Sequence, residues 1–264
     1  MLDQPFLDTE LIKKRCQQPF RSTMPADHPC NEVVERMMAR LSIIKIQPKN
    51  ILLVEHAPSA FKERLKSQYP AANVICVPCI DTLSGAAENH FDIVILYFSL
   101  LWAHEPILLL QQAARCLREE GLFLCASLGP DSGMELRKSF ATVSEHVHVH
   151  PFSDMHHLGD AMLQCHLSDT VMDCERVVLA YDALETLVED ARDYHVFNAH
   201  ARRFKGLFTP KQWHALQQAY VAYKANGYYP LTLEVVYGHG WKLASSAQEE
   251  QEVSISIDAI QRRS

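Results

Sequence analysis

Short apolar runs alternating with helical stripes set the pattern of this chain. Ile51-Leu-Leu-Val54 and Val74-Ile-Cys-Val77 contain no charged or amide position, and Phe91-Asp-Ile-Val-Ile-Leu-Tyr-Phe98 carries a single charge, Asp92. Such runs suit central strands of a parallel sheet covered on both faces. Between them, apolar residues recur at helical spacing. Val33, Val34, Met37, Met38 and Leu41 form one stripe, predicting a helix over 31–46 with Asn31 as its N-cap. The two methionines read as core filler. Helices are also predicted over 9–18, over 61–69, where Pro70 stops the pattern, and over the leucine-rich 106–117. Gly121-Leu-Phe-Leu-Cys-Ala-Ser127 makes a fourth strand opened by a turn glycine. Strands alternating with helices predict an α/β fold, a doubly wound and mostly parallel sheet with right-handed crossovers.

The second half changes character. Helices are predicted over 153–165, 181–194 and 209–226, the last with Thr209 as N-cap, Pro210 at its first position and Gly227 just past its end. Strands are predicted over 171–180 and 231–237. The tail from 244 is polar apart from Val253, Ile255 and Ile257, which fall on one face of a short strand that needs docking to persist. The expected organisation is N-terminal helices over 1–48, a Rossmann-like core over 49–150, a helical cap with the final strands over 151–242, and a polar tail over 243–264. There is no internal repeat.

Composition narrows the function classes. At 264 residues the chain can bury one core plus a smaller appended unit. Its formal charge of −7 argues against a general nucleic-acid binder, which needs a dominant basic surface. Eight scattered cysteines, several inside apolar runs, fit buried thiols in a reducing compartment and not a disulfide framework. No apolar run approaches the roughly 18 residues of a membrane span, and no apolar signal region follows Met1. The expectation is a cytoplasmic protein with no nucleic-acid partner and no membrane span.

Several constellations have chemical readings beside plain ones. Cys76 and Cys79 have the spacing of a redox pair or half a zinc site, but no second pair stands at finger or ribbon spacing, so they read as two ordinary thiols. His146, His148 and His150 would share one face if extended, a geometry that suits a metal. They fall in the connector between the two halves, and the reading is a polar loop with no metal. Arg202, Arg203, Lys205 and Lys211 form a compact basic group, and Lys13, Lys14, Arg15 and Arg21 form another. Such groups either receive a carboxylate or acidic helix, for which guanidinium is well shaped, or are solvated helix flanks. Trp102, Tyr229, Tyr237 and Trp241 read as packing between the sheet and its appended helices.

From Phe91 onward the chain resembles the class I S-adenosylmethionine (SAM) methyltransferases. More narrowly it is similar to the malonyl-acyl-carrier-protein O-methyltransferases of biotin synthesis and to the related complex I assembly factor five. The likeness rests on Phe91-Asp-Ile-Val-Ile with Ser99-Leu-Leu-Trp102, and on Arg115-Cys-Leu-Arg-Glu-Glu-Gly121. More specific are Pro151-Phe-Ser-Asp-Met-His-His-Leu-Gly-Asp160, Gly206-Leu-Phe-Thr209 and Pro230-Leu-Thr-Leu-Glu-Val-Val-Tyr-Gly-His-Gly-Trp-Lys242. The resemblance implies SAM as cofactor, with Glu55, His56, Ala57, Ser59, Asp81, Leu96, Tyr97 and Trp102 around it. It implies Arg202, Arg203, Lys205, His156 and Tyr237 on the side of a substrate or partner, with acyl carrier protein or an active paralogue as that partner. Methyl transfer needs chiefly proximity and alignment, so no catalytic base is assigned.

The chain departs from the family at one place. The family's first strand ends in an acid followed by a glycine turn, which lets the backbone approach the cofactor. Here Glu55 takes the acid, Ala57 and Ser59 take the glycines with Pro58 between them, and Phe61 falls where a third glycine often sits. No acid follows the second strand until Asp81, and the interval from Glu55 to Phe91 is too short for two strands and two helices. Either the third strand, at the sheet edge, is missing, or Val74-Ile-Cys-Val77 is the third strand, the second is gone and Asp81 matches the family's adenine-contacting acid; the first is expected. These departures predict a fold of this family shortened at one edge, with SAM binding impaired or lost. The alternatives are a non-catalytic pseudo-methyltransferase acting as a binding or partner module, and a complex I assembly-factor-like protein.

Overall fold

The computed structural model describes residues 7, 8, 10–12, 29–55, 60–78, 83, 85–193, 196, 198–201, 203, 205, 206 and 208–244. The expected strand around Val253, Ile255 and Ile257, and most of the helix expected over 9–18, lie outside them; residues 10–12 are helical. Among the described residues the elements run in order α1 (Pro29–Ile43), β1 (Asn50–Glu55), α2 (Phe61–Gln68), β2 (Asn73–Pro78), β3 (Phe91–Tyr97), α3 (Pro106–Cys116), β4 (Leu117–Leu128), α4 (Met134–Ala141), α5 (Met155–Gln164), β5 (Leu167–Tyr181), α6 (Leu184–Asp193), α7 (Pro210–Tyr220) and β6 (Tyr229–Lys242).

The six strands form one sheet in the order β2-β1-β3-β4-β6-β5. The first four are parallel, and β6 is antiparallel to both β4 and β5. This is the doubly wound sheet that the alternating pattern predicts. β2 is the edge strand, and among the described residues no strand lies between Pro78 and Phe91. The sheet is therefore short at the edge where the sequence interval is short.

The apolar runs became the strands buried on both faces. Every position of β3 is buried, as are Ile51 to Glu55 of β1. Asp92 is the one charge in that run. Its carboxylate accepts from the backbone N–H groups of Lys49 and Asn50 at 2.7 and 2.8 Å and from Arg118 at 2.5 Å, tying together the entries of β1, β3 and β4. The stripe on α1 is buried as expected, but the helix begins at Pro29, so Asn31 lies in its first turn and is not its cap. β4 begins at Leu117, not at Gly121. A Cβ at Gly121 would stand 2.8 Å from the Arg118 carbonyl oxygen, so the glycine serves a close approach inside the strand.

α4 is an element that the hydrophobic pattern did not predict. α7 starts as expected: Thr209 accepts from the Gln212 N–H while the Gln212 side chain accepts from that of Thr209. The last two strands are longer than their alternation suggests, because they pair with one another from Leu167↔Lys242 to Tyr181↔Tyr229.

Candidate functional site

In open α/β sheets ligands bind outside the carboxyl ends of the strands, where the winding reverses direction. Here that point lies between β1 and β3, since β2 lies on one side of β1 and the remaining strands on the other. The residues that end those strands are Glu55 and Tyr97, and they are register partners. The same register row continues through Ala126 and Tyr237 to Asp173, with Pro78 on the other side of Glu55. Partners in register share a face, so Glu55, Tyr97 and Tyr237 point to one side of the sheet. α1 covers that side.

The mouth of this crevice is densely packed. Phe61, the first residue of α2, is fully buried, and its ring meets that of Tyr97 edge to face at 5.4 Å and 82°. The Tyr97 hydroxyl donates to the carbonyl of Cys30 on α1 at 2.8 Å. Burial, with Cys30 and Glu55 nearby, holds that phenol well above its ordinary pKa, so it stays a neutral donor. Next in sequence, Phe98 is buried and adopts the left-handed backbone region, φ 53°, which bulky residues rarely enter. Ser99 then donates its hydroxyl to the Val54 carbonyl at 2.5 Å, fastening the end of β3 to the end of β1. Glu55 is buried beside this cluster, and its charge together with burial raises the Cys76 thiol to about 11.

Residues 37–125 match a family described as a methyltransferase domain. A malonyl-[acyl-carrier protein] O-methyltransferase of Laribacter hongkongensis is 31% identical over 245 residues, covering 81% of this chain and 82% of that one. The malonyl-[acyl-carrier protein] O-methyltransferase 1 of Coxiella burnetii is 29% identical, covering 97% of each. The chain belongs to the class I SAM methyltransferase family. A solved structure of a methyltransferase candidate from Bacillus halodurans superposes with a TM-score of 0.53 at 12% identity, over 80% of this chain and 99% of that one, a likeness of fold.

Within this methyltransferase fold the expected site residues separate. Glu55 and Tyr97 meet at the crevice. Leu96 is fully buried in register with Val54 and Cys125, on the opposite face. Trp102 is buried with its ring 5.9 Å from that of His150. His56, Ala57, Ser59, Asp81 and Arg202 lie outside the described residues. His156 is exposed and pairs with Asp154, the N-cap of α5, at 2.7 Å. Arg203 donates to Asp8 at 2.6 Å, tying the cap to the N-terminal segment, while Lys205 and Lys211 are exposed. Tyr237 lies under α1, two strands from Tyr97.

The histidine triplet does not share a face. His146 is exposed, His148 stacks on Phe140 at 4.4 Å, and His150 is fully buried beside Trp102 and Phe152. Among the described residues no group of three His, Cys, Asp or Glu side chains is arranged to hold a metal. Sequence reasoning missed Cys30, Phe98, Arg36 and Arg40. The last two carried a signal, since arginines four apart on a helix project from one face. A backbone carbonyl such as that of Cys30 carried none.

A cavity of about 430 Å³ lies between α4, α6 and α7, lined by Phe140, His148, Arg203, Phe208 and Trp213 among others. No helix among the described residues is long and apolar enough to cross a membrane.

Proposed function

We propose that this methyltransferase-family chain acts as a binding module, holding SAM weakly or not at all. One observation carries the reading: Phe61 and Tyr97 fill the carboxyl ends of β1 and β3 with packed rings. A SAM-binding turn works by letting glycine backbone approach the cofactor, and side chains at the same positions exclude it. On this reading the residues present do not fit the cofactor, and no catalytic step is derived through it.

The partner we propose is an acyl carrier protein. Two relatives are named for methylating one, and the chain retains its cap with exposed Lys205 and Lys211 available to an acidic helix. Chemical cross-linking of the purified chain with acyl carrier protein tests this. A cross-linked 1:1 species that diminishes on Lys205→Glu with Lys211→Glu supports the pairing; a yield untouched by both changes counts against it.

A second reading, an active O-methyltransferase with weakened cofactor affinity, is favoured by Glu55, which keeps the acid at the end of β1. It requires transfer of a labelled methyl group from SAM to malonyl-acyl carrier protein, lost on Glu55→Ala. The expected result is no labelled ester above the enzyme-free blank.

A further inference from the structure

Beneath α1, on the sheet face that carries Glu55 and Tyr97, two cavities flank Tyr237. One, of about 240 Å³, lies against the upper halves of β5 and β6 and is walled by apolar side chains including Val33, Phe98, Val177, Leu179 and Val235. The other, of about 410 Å³, lies on the opposite side of Tyr237 against Met37, Ile44, Leu124 and Val171. Tyr237 forms part of the wall of both. The residue is 3% exposed, and its hydroxyl has no hydrogen-bond partner among the described residues. Buried hydroxyls in native proteins are almost always partnered, because the desolvated group is otherwise destabilising.

Among the described residues the arginines and carboxylates around this space are paired with one another, and His239 also lines the second cavity. Arg36 pairs with Glu32 and Glu175, and Arg40 pairs with Asp173 while its guanidinium lies 4.0 Å above the Tyr237 ring. Two arginines thus face three carboxylates. An incoming carboxylate would have to displace one of these acids, and an incoming cation would meet the arginines. A neutral molecule disturbs neither.

We propose that this space is a binding site for a neutral, largely apolar small molecule whose one hydrogen-bond-accepting oxygen takes the Tyr237 hydroxyl. Its chain lies along the apolar wall of β5 and β6, and its carbonyl or ether oxygen faces the phenol. Burial raises that phenol to about 12, against the opposing pull of Arg40 and Arg36, so it remains a donor at neutral pH. Occupation of this site and SAM binding are read by separate titrations.

The test uses the full chain with two probes of one length, 2-octanone and octanoate, followed by calorimetry. The ketone should saturate at one site, and octanoate should bind at least tenfold more weakly. Tyr237→Phe should weaken the ketone about fivefold to tenfold, the worth of one neutral hydrogen bond. The same variant should leave the ligand-free melting temperature unchanged or higher, since it removes only an unpartnered oxygen. Val177→Phe, on the half-exposed edge strand, should block the ketone without unfolding the chain. Three results would overturn the proposal: octanoate binding as tightly as the ketone, Tyr237→Phe leaving ketone affinity unchanged, or neither probe saturating up to its solubility limit. The last would mean that water alone satisfies Tyr237.

Discussion

Phe61 is the residue on which the proposed reading rests. By the resemblance it falls where the family often has a third glycine, and its ring is fully buried against Tyr97. Phe61→Ala should then cost about 3–5 kcal/mol in urea unfolding, as for other buried phenylalanines. A loss below about 1 kcal/mol would mean that the ring is dispensable to the fold. His150 belongs to the same scale. Its two ring nitrogens lack partners among the described residues, and burial, helped by His200 and Arg137, lowers its pKa from 6.5 to about 4. Above pH 6.5 it is neutral in both folded and unfolded chains. As pH falls towards 4 the unfolded chain takes up the proton first, so stability falls through that window, by on the order of 3 kcal/mol in full. His150→Leu should flatten the stability profile between pH 6.5 and 4 relative to the parent chain; parallel profiles would contradict this. The lack of glycine at 56–59 was readable in the sequence, but those positions lie outside the described residues. The solitary Tyr237 hydroxyl was not readable, because it depends on what α1 brings over the sheet.

At the scale of elements, strands were legible wherever burial on both faces produced unbroken apolar runs. α4 was not, for a physical reason. Its buried positions are Glu135, Leu136 and Ser139, two of them polar, so it has almost no hydrophobic stripe to detect. It is held instead by a tertiary anchor: the Glu135 carboxylate accepts from the Thr232 N–H at 3.1 Å and from its hydroxyl at 2.5 Å. Glu135→Ala strands both Thr232 donors inside the protein and should cost roughly 3 kcal/mol, measured by chemical denaturation. If Glu135→Ala matches the parent in midpoint and slope, packing and not this anchor docks α4. Thr209 with Gln212, by contrast, was readable because a capping box is a local pattern. Helix ends shifted by a few residues, as at Pro29, a first-position proline that the stripe pattern passed over.

For the whole molecule, the strand order explains how the sheet can lose a strand at one edge and stay intact. β2 becomes the edge, and the pairings of β1 with β3, β3 with β4 and β4 with β6 are undisturbed. The fold and its family were therefore legible from the apolar runs and the later motifs, while the carboxylates of β5 that the two α1 arginines meet emerged only from the assembled structure. The central claim is that this scaffold persists with its cofactor crevice filled by its own side chains. Isothermal titration of the full chain with S-adenosylhomocysteine tests it most directly. The account predicts no saturable heat up to millimolar ligand; a 1:1 isotherm with micromolar affinity would contradict it.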